Sequence, residues 1–282
     1  MKIRAGYRIS FDCLNPMPIH LMLSVHPDRR SNLIAPDDLK ASVDCGLTQE
    51  PDSFGNLVTR VSAPGGPITF SGDFLIDDSG APDVQNWRAR QIPIEDLPAG
   101  ALPFLLGSRY CETDRLGGLA WSLFGGVRPG WERVQAIVDY VHQRIAFGYQ
   151  HARPTRTAEQ GHEERVGVCR DYAHLAVTLC RAMNIPARYC TGYLGDLGVP
   201  AVDAPMDFSA WFEVYLEGGW YTFDARHNQP RIGRIVIARG RDATDVAMTH
   251  TFGNAWLTEF QVITEEVAQD TKAATRELLA AE

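Results

Sequence analysis

The stretch that decides the fold is Gly167-Val168-Cys169-Arg170-Asp171-Tyr172-Ala173-His174, which places a cysteine directly before an apolar helical pattern. The apolar side chains that follow recur at the spacing of one helix face: Leu175, Ala176, Leu179, Cys180 and Met183. Pro186 lies just after this pattern and cannot continue a helix. The sequence therefore predicts a helix whose first turn begins at or just before Cys169.

Cys169 differs from the other five cysteines of the chain because it stands at this helix start. The first N–H groups of a helix lack intrahelical acceptors and, together with the helix dipole, they stabilise an anion such as a thiolate. Thiols in this position have lowered pKa values and act as nucleophiles. The alternative for any of the six cysteines is a small buried thiol without a chemical role. We interpret Cys169 as the candidate nucleophile.

A β-hairpin follows the predicted helix. Residues 209–216 and 220–224 are rich in aromatic and β-branched side chains, and a Gly-Gly pair between them indicates a tight turn. Antiparallel pairing across an even-numbered turn places Asp224 opposite Trp211 and diagonal to Ser209 on one face of the sheet. The hairpin therefore predicts a carboxylate close to the residue that begins its first strand.

These segments together resemble the transglutaminase-like superfamily of papain-like cysteine enzymes, in its bacterial form. The matching segments are Gly167–His174, Ile185–Tyr189, Thr191–Tyr193, Ala210–Tyr215 and Trp220–Asp224. The resemblance implies an α+β fold with the nucleophile helix packed on an antiparallel sheet. It also implies a Cys169 thiolate that attacks a carboxamide carbon, releases ammonia or an amine and passes the acyl group to water or an amine. Asp224 takes the position of the family's aspartate, and a protein or peptide is the implied substrate.

The sequence departs from the family pattern at the middle member of the triad, where the family has histidine and this chain has Ser209. Serine cannot act as a general base near neutral pH. His227 follows Asp224 by three residues in a polar stretch that is typical of a turn, so its ring can fold back as a substitute base. Two alternatives stay open: a histidine of another loop, or a peptide-binding module that has lost its base. Trp211 is a further candidate, for substrate binding, although a buried hairpin aromatic is its ordinary role.

The N-terminal part of the chain predicts a separate β-rich domain. Residues 1–12 alternate apolar and polar side chains, the pattern of a strand with one buried face. A proline-rich stretch at 91–107 discourages both helix and central strand. We therefore predict a β domain at 1–90, which resembles the domain preceding the catalytic core in bacterial members, a linker at 91–107, a catalytic-type domain at 108–267 and a polar tail at 268–282.

Composition limits the classes of partner. The chain of 282 residues has a formal net charge of −8 and a pI near 5.5, which gives no electrostatic reason to bind nucleic acid or an anionic membrane. It has no apolar stretch of signal-peptide or membrane-spanning length, so we expect a cytoplasmic protein whose cysteines are mostly free thiols. No metal-ligand spacing and no glycine-rich phosphate loop is visible, so we expect neither metal nor cofactor. The oligomeric state and the choice of acyl acceptor are not predicted.

Overall fold

The computed structural model describes residues 1–201 and 206–267 and contains both helices and mainly antiparallel strands. The helices are α1 (Pro27–Arg30), α2 (Thr113–Phe124), α3 (Trp131–Arg144), α4 (Ala158–Glu164) and α5 (Cys169–Ala182), with 3₁₀ turns at Ile94–Asp96, Ala99–Leu105 and Tyr149–His151. The strands are β1 (Lys2–Cys13), β2 (Met17–Leu21), β3 (Leu33–Ala35), β4 (Lys40–Ala41), β5 (Leu47–Pro51), β6 (Leu57–Ala63), β7 (Gly66–Asp77), β8 (Ala146–Phe147), β9 (Val166–Gly167), β10 (Ala187–Tyr193), β11 (Ser209–Leu216), β12 (Gly219–Phe223), β13 (Ile235–Gly240), β14 (Thr249–Thr251) and β15 (Ala255–Val267). The predicted α+β class is confirmed, and the predicted polar tail at 268–282 lies outside the described residues.

Two antiparallel sheets form the N-terminal half. One has the strand order β15-β1-β7-β3 with β4 also paired to β7, and the other has the order β14-β2-β6-β5. The strand predicted over residues 1–12 is confirmed as β1, and its alternating apolar side chains are all buried: Ile3, Ala5, Tyr7, Ile9 and Phe11. They pack with the apolar side chains of β2 and β7 into one core because the period of two places them on a single face.

The last strand returns to the N-terminal sheet. β15 pairs antiparallel with β1 along its whole length, from Lys2 opposite Val267 to Cys13 opposite Ala255. This segment belongs to the catalytic-type domain predicted at 108–267, whereas its strand pairs with the sheet of the N-terminal half. The same core also contains Tyr193 and Ile237 from the C-terminal half. The division of the chain at 91–107 stays a prediction.

The C-terminal half is built around α5. Its residues from Asp171 to Arg181 are all buried, and the helix packs on α2, α3 and α4 on one side and on β10 and β11 on the other. The sheet behind it has the order β12-β11-β10-β13. No helix in the described parts of the chain is long and apolar enough to cross a membrane.

Candidate active site

The start of α5 is fixed by its own side chains. Val168 has an extended backbone, and its N–H donates to Asp171 Oδ2 over 2.9 Å, as a capping carboxylate at the third helical position does. Arg156 donates to the same oxygen over 2.9 Å, so that the buried carboxylate is paired. The helix consequently begins at Cys169, as the sequence predicts.

The hairpin has the predicted register. Tyr215 lies opposite Trp220 and Phe212 lies opposite Phe223, so β12 ends one residue before Asp224. Ser209 is the first residue of β11, the strand that pairs with β12, and it lies opposite Gly192 of β10. The two ends of the hairpin therefore bring Ser209 and Asp224 to the same side of the sheet.

A tight turn after β12 folds His227 back onto Asp224. One carboxylate oxygen, Oδ1, accepts the backbone N–H groups of Arg226 and His227, each over 3.0 Å. The other, Oδ2, accepts the His227 Nδ1–H over 2.8 Å. With the proton on Nδ1, the opposite ring nitrogen, Nε2, carries a lone pair. This is the orientation that a histidine base requires.

A cavity of about 440 Å³ connects the candidate residues. Cys169, Ser209 and His227 all line it, and Asp224 is reached through the His227 ring. The cavity is also lined by Phe147, Tyr149, Asp207, Phe208, Arg226 and Arg231. The structure therefore brings together three candidate residues: Cys169, His227 and the serine that stands at the family's histidine position.

Asp224 is buried yet held in its charged form. Burial alone raises the pKa of a carboxyl, but the Arg234 guanidinium and the His227 hydrogen bonds outweigh it, so the pKa of Asp224 lies well below its usual range. Arg234 donates to Asp224 Oδ2 over 2.9 Å and pairs on its other side with Asp83 over 3.0 Å. An ionised Asp224 holds the proton on Nδ1 of His227 and stabilises the imidazolium once the ring takes a second proton.

The Cys169 thiol has the opposite pKa shift from the one that its position at the helix start predicts. Burial raises the pKa of the thiol to about 11, although the Arg226 guanidinium and a hydrogen bond from the Ala210 N–H lower it in part. The helix start favours a thiolate, but burial of the sulfur in the wall of the cavity disfavours the charged form. With this pKa the thiol is mainly protonated near neutral pH.

Trp211 lies outside the cavity. Its side chain is 1% exposed and packs with Cys190 and Val236, and the Arg234 Cζ atom is 5.0 Å from its ring centroid. Because its ring is enclosed by the protein, we leave Trp211 out of the candidate site. The blander role given to a hairpin aromatic, core packing, agrees with its burial.

The charged side chains around Cys169, His227 and Asp224 are not predicted from the sequence. Arg226 was part of the polar stretch after Asp224, but nothing in the sequence shows that its guanidinium lies near the sulfur. Arg234 lies ten residues after Asp224, and its partner Asp83 lies 151 residues before Arg234, so that only the folded chain shows the Asp83–Arg234–Asp224 pairing. His174, which the helical geometry directs away from Cys169, is buried and accepts the Ala243 N–H over 3.1 Å. Within residues 1–201 and 206–267, no group of three or more His, Cys, Asp or Glu side chains is arranged to hold a metal ion.

A cysteine at the start of a buried helix, packed on an antiparallel sheet that carries a histidine–aspartate pair, is the arrangement of papain-like cysteine enzymes. Residues 118–225 match the sequence profile of the transglutaminase-like superfamily. The structure is similar to a crystal structure described as a "putative cysteine protease" from Cytophaga hutchinsonii, with a TM-score of 0.83 and 30% identity over 96% of this chain and 92% of that one. The chain belongs to the transglutaminase-like superfamily.

Two mycobacterial proteins are also similar in sequence. The uncharacterized protein ML0607 of Mycobacterium leprae is 32% identical over 103 residues, which span 35% of this chain and 37% of that protein. The uncharacterized protein Mb2599c of Mycobacterium bovis is 28% identical over 225 residues, 69% of this chain and 68% of that protein. Both are described as uncharacterized, so they carry no information on substrate.

Proposed function

We propose that this protein is a cysteine hydrolase or acyltransferase that acts on carboxamide or peptide bonds through Cys169. In this proposal His227 is the general base and Asp224 orients it. The observation that carries the proposal is the 2.8 Å hydrogen bond between Asp224 and Nδ1 of a histidine ring that lines the same cavity as Cys169. The description of the Cytophaga hutchinsonii structure as a cysteine protease supports the same class of reaction.

The proposed reaction has two halves. Nε2 of His227 takes the Cys169 proton, the sulfur bonds to the carbonyl carbon, and the carbon–nitrogen bond breaks as the imidazolium returns the proton to the leaving nitrogen. Water or an amine then gives a proton to His227 and attacks the thioester carbon. The carbon–sulfur bond breaks, and the imidazolium returns the proton to the sulfur, which restores the thiol. Backbone N–H groups at the start of α5 and the N–H of Ala210 are the candidate donors to the oxyanion.

The raised pKa of Cys169 makes the base necessary. With a pKa of about 11, only about one thiol in a thousand is ionised at pH 8. Because spontaneous ionisation is this rare, the thiol depends on a partner that removes its proton during attack. His227 is the candidate because Asp224 fixes which of its ring nitrogens carries the proton.

A second candidate function is a non-catalytic module that binds a peptide in the cavity. The observation that favours it is Ser209, which stands where the family has histidine and cannot remove a proton from the thiol. A module of this kind would keep the fold and the cavity and would need no base.

Under either function the proposed partner is a protein or peptide, with neither nucleic acid nor a membrane involved. The proposed compartment is the cytoplasm, where six free cysteines are stable.

The experiment that separates the two functions measures ammonia release and amine incorporation with a glutamine-containing protein, and peptide cleavage, for wild type and two variants. Cys169→Ala is expected to abolish the activity, and His227→Ala to lower it by a factor of about 10² to 10⁴, the usual size of a lost general base. Cys45→Ala and the exposed His250→Ala are the matched controls and should keep full activity. Activity that needs Cys169 but not His227 would assign the base elsewhere. A folded wild type that binds peptide in the cavity without turning it over would favour the binding module.

A further inference from the structure

Helix α3 holds the turn that carries His227 at two points. The His142 Nδ1–H donates to the Ala225 carbonyl oxygen over 3.1 Å, at the beginning of the turn. At its end, the Asn228 side chain donates to Asp139 Oδ1 over 2.9 Å and accepts the Gln135 amide, also over 2.9 Å. Gln135 closes the cluster by donating to the same Asp139 oxygen over 2.8 Å. The candidate base is therefore placed between two anchors on a helix that buries one face.

Asn228 needs such an anchor because its backbone is left-handed. Its φ is +50°, a conformation that costs L-residues free energy and that asparagine tolerates better than most. Its N–H donates to the Asp224 carbonyl oxygen over 2.8 Å, which closes the turn. If the Asn228 side chain lost its partners, the turn would be free to relax to an ordinary conformation, and the residue before it, His227, would turn with it.

Successive residues of the turn face opposite sides. His227 lines the cavity that contains Cys169, whereas Asn228 lines a second cavity of about 340 Å³ together with Gln135 and Asp139. Asp139 forms no ion pair with any residue of the described ranges, and both hydrogen bonds that it accepts come from this cluster. The contacts of its carboxylate therefore serve to hold the Asn228 side chain.

We propose that Asp139 is a positioning residue, which holds the His227 ring toward Cys169 through Asn228. This inference rests on the proposed function, in which His227 is the base. A base on a strand is fixed by the backbone ladder of its sheet, whereas a base on a turn depends on side-chain contacts of this kind. Asp139 touches neither substrate nor sulfur, so it acts on the rate only through the geometry of the histidine.

The test compares Asp139→Ala with Asp139→Asn and with Gln143→Ala, a control on the same helix whose side chain is exposed. Because small displacements of catalytic groups cost large factors in rate, Asp139→Ala should lower kcat by roughly 10- to 100-fold with KM nearly unchanged. Asparagine keeps an oxygen acceptor, so Asp139→Asn should retain most of the activity, and Gln143→Ala all of it. Asn228→Gly, which tolerates the left-handed backbone but lacks the anchor, should reproduce the loss.

The decisive arm repeats Asp139→Ala in the His227→Ala background. If Asp139 acts through His227, the second substitution should have no further effect on kcat. An equal loss in both backgrounds, or no loss in either, would overturn the proposal and leave the proposed function intact. The single variant His227→Ala tests the proposed function. If its activity is unchanged, His227 is not the base, and this inference fails with it.

Diethylpyrocarbonate modification of His227 is a readout that does not depend on turnover. Modification should be faster in Asp139→Ala than in wild type, and equal rates would contradict the inference.

Discussion

Positions 209 and 227 face the same cavity and are built in different ways. Ser209 lies on strand β11, where its backbone is fixed by the pairing with Gly192 of β10. His227 lies on a turn, where its position depends on two hydrogen bonds to Asp224 and on the anchors of α3. The strand position carries a hydroxyl in this chain, and the turn position carries the imidazole.

The difference shows which part of a triad can move. Cys169 must stay at the helix start and Asp224 at the end of β12, because the helix and the hairpin fix the space between them. The imidazole needs only a carboxylate on one nitrogen and a path to the sulfur from the other. The register places Ser209 on the same side of the sheet as Asp224, and His227 bonds to Asp224 directly, so under the proposed function we expect the aspartate to serve a histidine at either position.

The largest expected effect comes from replacing the Asp224 carboxylate, which holds the turn and the His227 ring. Asp224→Asn should lower kcat by about 10² to 10⁴-fold, because an amide does not fix the proton on Nδ1 or stabilise the imidazolium. Steady-state kinetics on a substrate found active in wild type measures this. Asp52→Asn is a control for the loss of a turn carboxylate far from the cavity. A variant with wild-type kcat would show that His227 works without Asp224.

The stability of the same variant should depend on pH. The pKa of Asp224 is lowered in the folded protein, so its contribution to stability is complete above the unfolded value of about 3.9 and is lost as the pH falls below it. We expect Asp224→Asn to be destabilised at pH 7 by about 2 to 4 kcal/mol, since Arg234 loses a buried partner. The deficit should shrink as the pH falls below about 4 in denaturant titrations. A deficit that does not change with pH would contradict a charged Asp224.

A transplant of the base tests whether the two positions are equivalent. In the His227→Ala background, Ser209→His should raise kcat by about 10- to 100-fold, because the new ring stands on the aspartate's side of the sheet and lines the cavity of Cys169. Ser209→Asn in the same background is the control, since asparagine has a similar shape and cannot take the proton. No gain from a folded double variant would mean that only the turn serves the thiol.

The sequence predicts the parts of this site that depend on local structure. The helix start at Cys169 and the register of Tyr215 with Trp220 follow from periodicity and turn composition, and both are observed. The return of His227 to Asp224 follows from a three-residue spacing in a polar turn and is also observed. Each of these features is set by residues within one or two elements.

The features that the sequence does not predict depend on contacts between distant residues. The raised pKa of Cys169 comes from burial, to which parts of the chain distant in sequence contribute, such as Phe208 and Arg231 in the wall of the cavity. The pairing of β15 with β1 joins the two ends of the described chain, and no periodicity specifies which edge a strand joins. The burial of Trp211 is a further example. The alternating strand pattern predicts on which face of the sheet its side chain lies, but not which residues cover that face.

The labelling rate of Cys169 tests whether the thiol has already given its proton to His227 in the free protein. Iodoacetamide should modify Cys169 at least about tenfold faster than Cys111, Cys180 or Cys190, which are fully buried and have raised pKa values. With its pKa raised to about 11, the Cys169 rate should still climb nearly tenfold per pH unit between about pH 7 and 10. Mass spectrometry of the modified protein measures both quantities. A plateau near neutral pH would mean that Cys169 and His227 rest as a thiolate and an imidazolium.

The smallest expected effect concerns a second group that the turn places near the sulfur. Burial raises the pKa of Cys169, and the Arg226 guanidinium is the largest influence that lowers it. Its Cζ atom stacks 3.8 Å from the Phe147 ring centroid, in the wall of the cavity. Arg226→Gln should raise the thiol pKa further and slow iodoacetamide labelling by about three- to tenfold at pH 9, where the rate follows the thiolate fraction.

The matched control for Arg226→Gln is Arg88→Gln, at an exposed arginine with no ion pair to the described residues. Arg88→Gln removes one positive charge from the protein, as Arg226→Gln does, and should leave the labelling rate of Cys169 unchanged. Added salt should reduce the effect of Arg226→Gln, but only in part, because partly buried charges are screened less than exposed ones. If both variants label at the wild-type rate, the turn contributes a base to the thiol but no charge, and the strand and turn positions differ only in their imidazole.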